Sequence, residues 1–185
     1  MILDNLLMFT GTSNGAAAGI TSTANGDAPT TGTQTASNIL DLGVTSGIPS
    51  SAAGGGARDI GIGDDPAMKL LATVTAAFTV GTSLQLELAG APDNGSGGQG
   101  SYTVMWLSVA FAEAILIAGA QVANVDIPRT VPGQVVPRFL RMRFITVGTH
   151  TLGTISVCIV LDRFDQIGSI TGLLSGYPAG INVAN

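Results

Sequence analysis

The sequence predicts an all-β protein, a single jelly-roll β-sandwich of about eight antiparallel strands. Short runs rich in Val, Ile, Leu, Thr and Phe are separated throughout the chain by Gly, Pro, Asn and Asp, the residues that favour turns. Several runs also alternate between apolar and polar residues, the period of a strand with one buried face. Because no helices alternate with these runs, a sandwich or barrel is favoured over a parallel sheet, and the jelly roll is the preferred choice.

The predicted strands follow from these runs. They are residues 2–9, 36–42, 68–77, 83–88, 102–109, 121–127, 138–146 and 154–162. The alternation is clearest in residues 84–88 and 140–144, where leucine, methionine or phenylalanine occupies every second position. Residues 155–161 are apolar on both faces, so we expect that strand to lie centrally in its sheet. Residues 111–120 are compatible with a short helix or with a strand at 115–117.

The chain is long enough for one domain with a core and too short to divide comfortably into two. We expect a jelly-roll domain at residues 1–163, with loop insertions at 11–34 and 43–66 that are rich in Gly, Ser and Thr. A third loop, 90–100, is expected to be a long hairpin tip. Residues 164–185 form a predicted C-terminal arm, which lies either across another surface or on its own domain.

Composition favours a protein that lives in an assembly. Charged residues make up 10% of the chain, against roughly 25% in an average globular protein, so much of its surface is neutral. Neutral surfaces are poorly protected against association. The formal net charge is −5 and Lys69 is the only lysine, which argues against a nucleic-acid partner. No run approaches the roughly 18 apolar residues of a membrane span, so no membrane partner is expected.

The sequence does not predict an enzyme, and we expect no cofactor. His150 is the only histidine and lies in a predicted turn between two strands, and the sequence places no nucleophile or acid beside it. The only cysteine, Cys158, is read as a buried apolar residue. Asp59, Asp64 and Asp65 are the best candidates for an ion site, but a solvated turn is the favoured interpretation of that stretch.

Two groups of side chains are candidates for binding a partner. The first group contains four of the seven basic residues: Arg129, Arg138, Arg141 and Arg143. Arg141 and Arg143 share one strand face, where they would either present guanidinium groups to a partner's carboxylates or form intramolecular ion pairs. The other group is aromatic. Trp106 and Tyr102 are expected on a single strand face, either in the core or as a carbohydrate-stacking platform.

Several segments, taken in order, resemble the jelly-roll capsid cement proteins of short-tailed bacteriophages. The opening Met1-Ile2-Leu3-Asp4 is similar to the family's start. Residues 36–43 and 57–63 resemble the family's "Asn-x-Ile-Asp-Leu-Gly" and "Arg-Asp-Ile-Gly-x-Gly" stretches. Further similar segments follow in the expected order at residues 75–79, 118–122, 127–128, 138–144 and 160–162. The resemblance covers most of residues 1–163, but segments 11–34 and 43–56 and the tail after Asp162 depart from it.

The resemblance implies a structural virion protein on the outer surface of an icosahedral head. There it would bridge adjacent copies of the major capsid protein and associate with itself as a homodimer or homotrimer. The alternative from a different class is a jelly-roll carbohydrate-binding or receptor-binding module that uses Trp106 and Tyr102.

Overall fold

The computed structural model describes residues 7–11, 20–23, 25–42, 68–127 and 137–161. Within these ranges lie ten strands and one 3-10 helix, at Glu113–Ile115. The strands are β1 (Thr21–Thr23), β2 (Gly26–Ala28), β3 (Gly32–Asp41), β4 (Met68–Thr79), β5 (Ser83–Ala91), β6 (Thr103–Leu107), β7 (Phe111–Ala112), β8 (Gln121–Asp126), β9 (Phe139–Val147) and β10 (Leu152–Leu161). No helix in the described ranges is long and apolar enough to cross a membrane.

The strands form two antiparallel sheets. The first sheet has the order β1-β2-β10-β4-β8, and the second has the order β3-β9-β5-β6, with β7 also paired to β5. Apart from the run β5 to β7, which stays in the second sheet, the chain from β2 onward changes sheet with each successive strand. Two facing sheets of four strands, β2-β10-β4-β8 and β3-β9-β5-β6, give the strand order of a jelly roll. The prediction of an all-β sandwich is therefore confirmed.

The core lies between the two sheets. Alternate residues of β5 and β9 point into it and are fully buried, as the sequence pattern predicts: Leu84, Leu86, Leu88, Leu140, Met142 and Phe144. The first sheet supplies Leu70 and Val74 from β4 and Ile155 and Val157 from β10. Strand β10 is central in its sheet, between β2 and β4. Cys158 on its other face is also buried, as predicted, and burial raises the pKa of its thiol to about 11.

Residues 111–120 form neither a regular helix nor a strand at 115–117. The segment contains β7 and the single turn of 3-10 helix, after which its backbone bonds to β4. Phe78 N–H donates to the Leu116 carbonyl at 3.0 Å, and Gly119 N–H donates to the Val74 carbonyl at 2.8 Å. Leu116 itself is fully buried in the core. These tertiary contacts outweigh the helix propensity of the segment.

The segment 11–34, expected to be a long insertion loop, contains β1, β2 and the first residues of β3. Strand β2 is only three residues long and pairs with β10 through Asp27 and Ile155. It is too short and too polar to give a periodic signal. Its conformation depends instead on Gly26, whose φ is +137° and where an added Cβ would lie 2.4 Å from the Ile155 carbonyl oxygen.

A buried carboxylate holds this part of the fold. Asp27 is fully buried, and its oxygens accept hydrogen bonds from Gly11 N–H at 3.1 Å, Ser37 N–H at 2.7 Å and the Ser37 hydroxyl at 2.6 Å. Ser37 is free to donate here because the pairing of β3 with β9 shifts register between Thr35 and Ile39. A bulge of this kind turns backbone N–H groups away from the neighbouring strand.

Residues 8–11 connect β10 of the first sheet to β3, the edge strand of the second sheet. Phe9 N–H donates to the Val157 carbonyl of β10 at 2.9 Å, and the Phe9 carbonyl accepts from Asn38 N–H of β3 at 2.8 Å. Met8 makes one antiparallel bridge with Cys158. Of the predicted strand at 2–9, the described residues 7–9 form no regular strand. They belong instead to a segment that bridges the two sheets and closes one side of the sandwich. Residues 2–6 lie outside the described residues.

Removing the Asp27 carboxylate is expected to destabilise the domain strongly. In Asp27→Ala, the buried N–H groups of Gly11 and Ser37 lose their acceptor, which costs about 3 kcal/mol of unfolding free energy. The control is Asp126→Ala, because Asp126 forms an exposed ion pair with Lys69 and its loss should cost less than about 0.5 kcal/mol. Urea unfolding of both variants measures the difference. Equal stabilities would contradict the role given to Asp27.

Candidate functional site

The candidate site is the outer face of the second sheet, which carries two of the four predicted arginines. Arg141 and Arg143 alternate with the buried residues of β9, so both point away from the core, as predicted. Val104, Ala89 and Arg141 are aligned across β6, β5 and β9. Leu107, Glu87 and Arg143 form a second such row. Arg138 precedes β9 at the end of the sandwich, and Arg129 lies outside the described residues.

Arg138 is held by two carboxylates. Its Nε and Nη2 donate to the two oxygens of Asp41 at 2.8 and 2.9 Å, and its Nη1 donates to Asp93. The hydrogen bonds to Asp41 are the main cause that raises the pKa of Arg138. A bidentate pair of this kind fixes the guanidinium group. Arg138 therefore joins the end of β3 to the loop between β5 and β6, and its charge is compensated within the chain.

Asp93 also organises the loop between β5 and β6. One of its oxygens accepts hydrogen bonds from Gly95 N–H at 2.7 Å and Gly97 N–H at 3.0 Å. The Gly97 bond is the main cause that lowers the pKa of Asp93. Asn94 binds Ser96 and Gly98 in the same way. This loop is the expected hairpin tip at 90–100, and it is shaped by side-chain acceptors.

Arg143 forms a bidentate ion pair with Glu87. The Arg143 Nε and Nη2 atoms each donate to a Glu87 oxygen at 2.7 Å. Glu87 lies on the outer face of β5 yet is only 5% exposed, so this carboxylate needs its partner. The alternative in which the arginine face forms intramolecular ion pairs is correct for Arg143 and Arg138.

Arg141 has a different environment. Its guanidinium carbon lies 3.7 Å from the centre of the Tyr102 ring, in a cation–π contact. Its Nε is buried and has no hydrogen-bond partner. Burial, followed by the charge of Arg143, lowers the pKa of Arg141. Among the described residues, Arg141 is the arginine that forms no ion pair with a carboxylate.

Tyr102 and Trp106 lie on opposite faces of β6, so the prediction that they share one face is wrong. The pairing of β5 with β6 shifts register between Leu88 and Ala89, which inserts Met105 as an extra residue. Trp106 is thereby paired with Leu88 and packs against the core. Tyr102 remains on the outer face with Arg141. The interpretation of Trp106 as a core residue is confirmed.

An outer-face patch can now be defined. It consists of Tyr102, Val104, Leu107 and Arg141. Val104 and Leu107 are each about half exposed, at 51% and 49%. Burial raises the pKa of Tyr102 above its ordinary value. The patch combines a cation that is not ion-paired within the described part of the chain, an aromatic ring and exposed apolar side chains, a composition typical of residues that anchor protein interfaces.

The other candidate groups give no site in the described residues. His150 lies in the turn between β9 and β10, as predicted, and is buried against Phe78 with ring centroids 5.1 Å apart. Its Nε2 is 3.3 Å from the Ser83 carbonyl oxygen. Asp59, Asp64 and Asp65 lie outside the described residues. Within the described ranges no group of three His, Cys, Asp or Glu side chains is arranged to hold a metal ion.

Fold and surface together define the class of protein. The chain is an all-β sandwich of jelly-roll strand order, with an outer sheet face on which Arg143 is paired with Glu87 and Arg141 stacks on Tyr102. Residues 23–159 match the model of the Bbp16 family, and the chain belongs to this phage-related family. The match runs from β1 into β10 and includes Arg138, Arg141 and Arg143. No curated protein matches the chain.

Arg143 and Arg141 are expected to differ in what they contribute to stability. Arg143→Met leaves the Glu87 carboxylate unpaired and buried, at a cost of about 2 kcal/mol. Arg141→Met leaves no buried charge unpaired and should cost less than about 1 kcal/mol. The double variant Glu87→Gln with Arg143→Met should recover more than half of the Arg143 loss. Chemical denaturation measures the unfolding free energy of the three variants. Equal losses of stability in Arg143→Met and Arg141→Met would refute the distinction.

Proposed function

We propose that the chain is a capsid cement, or decoration, protein. It binds the outer surface of an icosahedral phage head and bridges adjacent copies of the major capsid protein. The observation that carries the proposal is the match of residues 23–159 to a phage-related family, over the same region in which ordered segments resemble capsid cement proteins. The sandwich fold and the low charge of the chain agree with a protein that works by covering a surface.

The function requires no catalysis and no cofactor. A protein that binds only the assembled head stabilises assembly by mass action, since each bound copy must dissociate before the capsid subunits separate. Many copies on one head, each making a modest contact, add to a large total. Copies also contact one another as a closed homodimer or homotrimer, the usual symmetry of homo-oligomers.

The outer-face patch is the proposed contact with the capsid. Arg138 and Arg143 already bind carboxylates, so their charges are used within the fold. Arg141 forms no ion pair with a carboxylate among the described residues. A carboxylate of the capsid protein would accept from this guanidinium group beside the Tyr102 ring, while Val104 and Leu107 cover the contact from water. Arg129 remains a predicted member of the interface.

The carbohydrate-binding or receptor-binding alternative loses its platform. A stacking surface made of Trp106 and Tyr102 would need both rings on one face. The bulge at Met105 places Trp106 against the core and leaves Tyr102 on the outer face under Arg141. Nothing in the described residues favours this alternative over the cement function.

The cement function predicts that the protein is an abundant part of the virion. Quantitative mass spectrometry of purified particles should find it at a copy number of the same order as that of the major capsid protein, because a cement protein occupies repeated sites. Its absence from purified particles would overturn the proposed function. Removing the protein from the heads should also lower the temperature at which they release DNA.

The role of the patch is tested separately with heads that lack the protein. Purified Arg141→Gln protein added to such heads should bind at least about tenfold more weakly than the unmodified protein, since a central Arg–carboxylate contact is lost. Lys69→Gln is the matched control, because it removes one positive charge from the first sheet and should bind normally. Full binding by folded Arg141→Gln protein would show that the patch does not contact the capsid.

A further inference from the structure

Residues 93–99, which lie between β5 and β6, form a loop that contains no apolar side chain. We call it loop 93–99. Three of its seven residues are glycine, and all but Gly98 are exposed. A glycine-rich segment loses much conformational entropy when it adopts one shape, and burial of apolar surface does not offset that loss here. The shape of the loop therefore depends on hydrogen bonds.

Arg138 ties the start of loop 93–99 to the sandwich. Its Nη1 donates to one Asp93 oxygen, while its Nε and Nη2 donate to Asp41 at the end of β3. The other Asp93 oxygen accepts from Gly95 N–H at 2.7 Å and from Gly97 N–H at 3.0 Å. One carboxylate thus joins a guanidinium group that is fixed by a bidentate pair to the backbone of the loop.

Backbone contacts transmit this anchoring to the far end of the loop. Asp93 and Gln99 are partners in an antiparallel bridge. Asn94 N–H donates to the Gly98 carbonyl at 2.9 Å and so closes the loop on itself. The place of Gln99 is therefore set by the residue that Arg138 holds. The Gln99 Oε1 atom in turn accepts a hydrogen bond from the Tyr102 hydroxyl at 3.0 Å.

Tyr102 links loop 93–99 to the outer-face patch. It lies one residue before β6, outside the register of paired strand residues. Its side chain is held at two points, because the hydroxyl binds Gln99 and the ring centre lies 3.7 Å from the guanidinium carbon of Arg141. A cation–π contact requires the face of the ring, and the hydroxyl bond restricts the side chain to a rotamer that presents this face. The orientation of Tyr102, and with it the place of Arg141, therefore depends on Gln99.

We propose that loop 93–99 positions Arg141 for its contact with the capsid. Asp93 and Gln99 are positioning residues that act on Arg141 through Tyr102. A guanidinium group that is already held over the ring in the free chain loses less side-chain freedom when it binds a carboxylate. The ion pair between Arg138 and Asp93 thus affects binding as well as the shape of the loop. The inference rests on the proposed function, since it concerns how the outer-face patch is prepared to bind.

The first test measures the position of Arg141 in the isolated full-length chain by NMR. The Nε–H signal of Arg141 is identified by its absence from the spectrum of Arg141→Gln, and the ring current of Tyr102 should shift this signal upfield. Gln99→Ala and Tyr102→Phe each remove the hydrogen bond but keep the ring, so each should reduce the shift. The double variant should reduce it no further, because both changes break the same bond. Ser96→Ala, the matched control in the same loop, should leave the signal unchanged.

The second test measures binding to heads that lack the protein. Gln99→Ala should bind about threefold more weakly than the unmodified chain, since the hydrogen bond that orients Tyr102 is lost. Asp93→Ala should bind about tenfold more weakly, because it frees the whole loop. Ser96→Ala should bind normally. The Gln99 side chain is exposed, so Gln99→Ala should melt within about 2 °C of the unmodified chain, which excludes a loss of fold as the cause.

The outcomes separate this inference from the proposed function. An Arg141 signal that stays in place in both Gln99→Ala and Tyr102→Phe overturns the positioning role, as does a change of equal size in Ser96→Ala. Full binding by Gln99→Ala and Asp93→Ala overturns it as well and leaves the cement function intact. If the Arg141 signal moves as expected but the unmodified chain does not bind the heads, the cement function fails and the positioning of Arg141 by loop 93–99 stands.

Discussion

The hydrogen bonds of the Asp27 carboxylate connect the parts of the fold that are furthest from regular sheet pairing. They join residues 8–11, β2 and the bulged stretch of β3. Without them, the N–H groups of Gly11 and Ser37 would be buried without acceptors. Phe9 links β10 to β3 through its backbone hydrogen bonds. The same carboxylate binds residues close to this link, Gly11 and Ser37. One side of the sandwich is thus closed by polar contacts, while the interior is held by apolar packing.

On the outer face, too, charged side chains are mostly paired within the fold. In a chain with so few charged residues, most described arginines are used to bind carboxylates within the fold. Arg138 secures the hairpin loop through Asp93, and Arg143 compensates a buried Glu87. Arg141 differs from them because its guanidinium group stacks on Tyr102 and forms no ion pair with any carboxylate in the described part of the chain. The ion pair of the neighbouring Arg143 restricts the side chains beside Arg141, which would lower the entropy lost if Arg141 binds a partner as proposed.

The sequence predicts those parts of the fold in which the two-residue alternation of apolar side chains matches the side chains that are buried. The alternation in β5 and β9 identifies their core residues because the two strands pair in an unbroken register and every second side chain, a large apolar one, faces the core. Sequence fails where register breaks. The bulge at Met105 reverses the face of Trp106, and no residue pattern in β6 marks it. Strand β2 escapes notice because a buried aspartate, rather than apolar periodicity, holds it.

The candidate site divides in the same way. The shared face of Arg141 and Arg143 follows from their spacing on a strand, but their different roles depend on Glu87 and Tyr102, which approach from β5 and from the residue before β6. These contacts are made between strands that are distant in sequence. The spacing of residues within one strand carries no information about them. Glu87 alone could have been noticed in the sequence, because a carboxylate between the leucines of an apolar strand requires a cationic partner. Its pairing with Arg143 on β9 depends on the strand register.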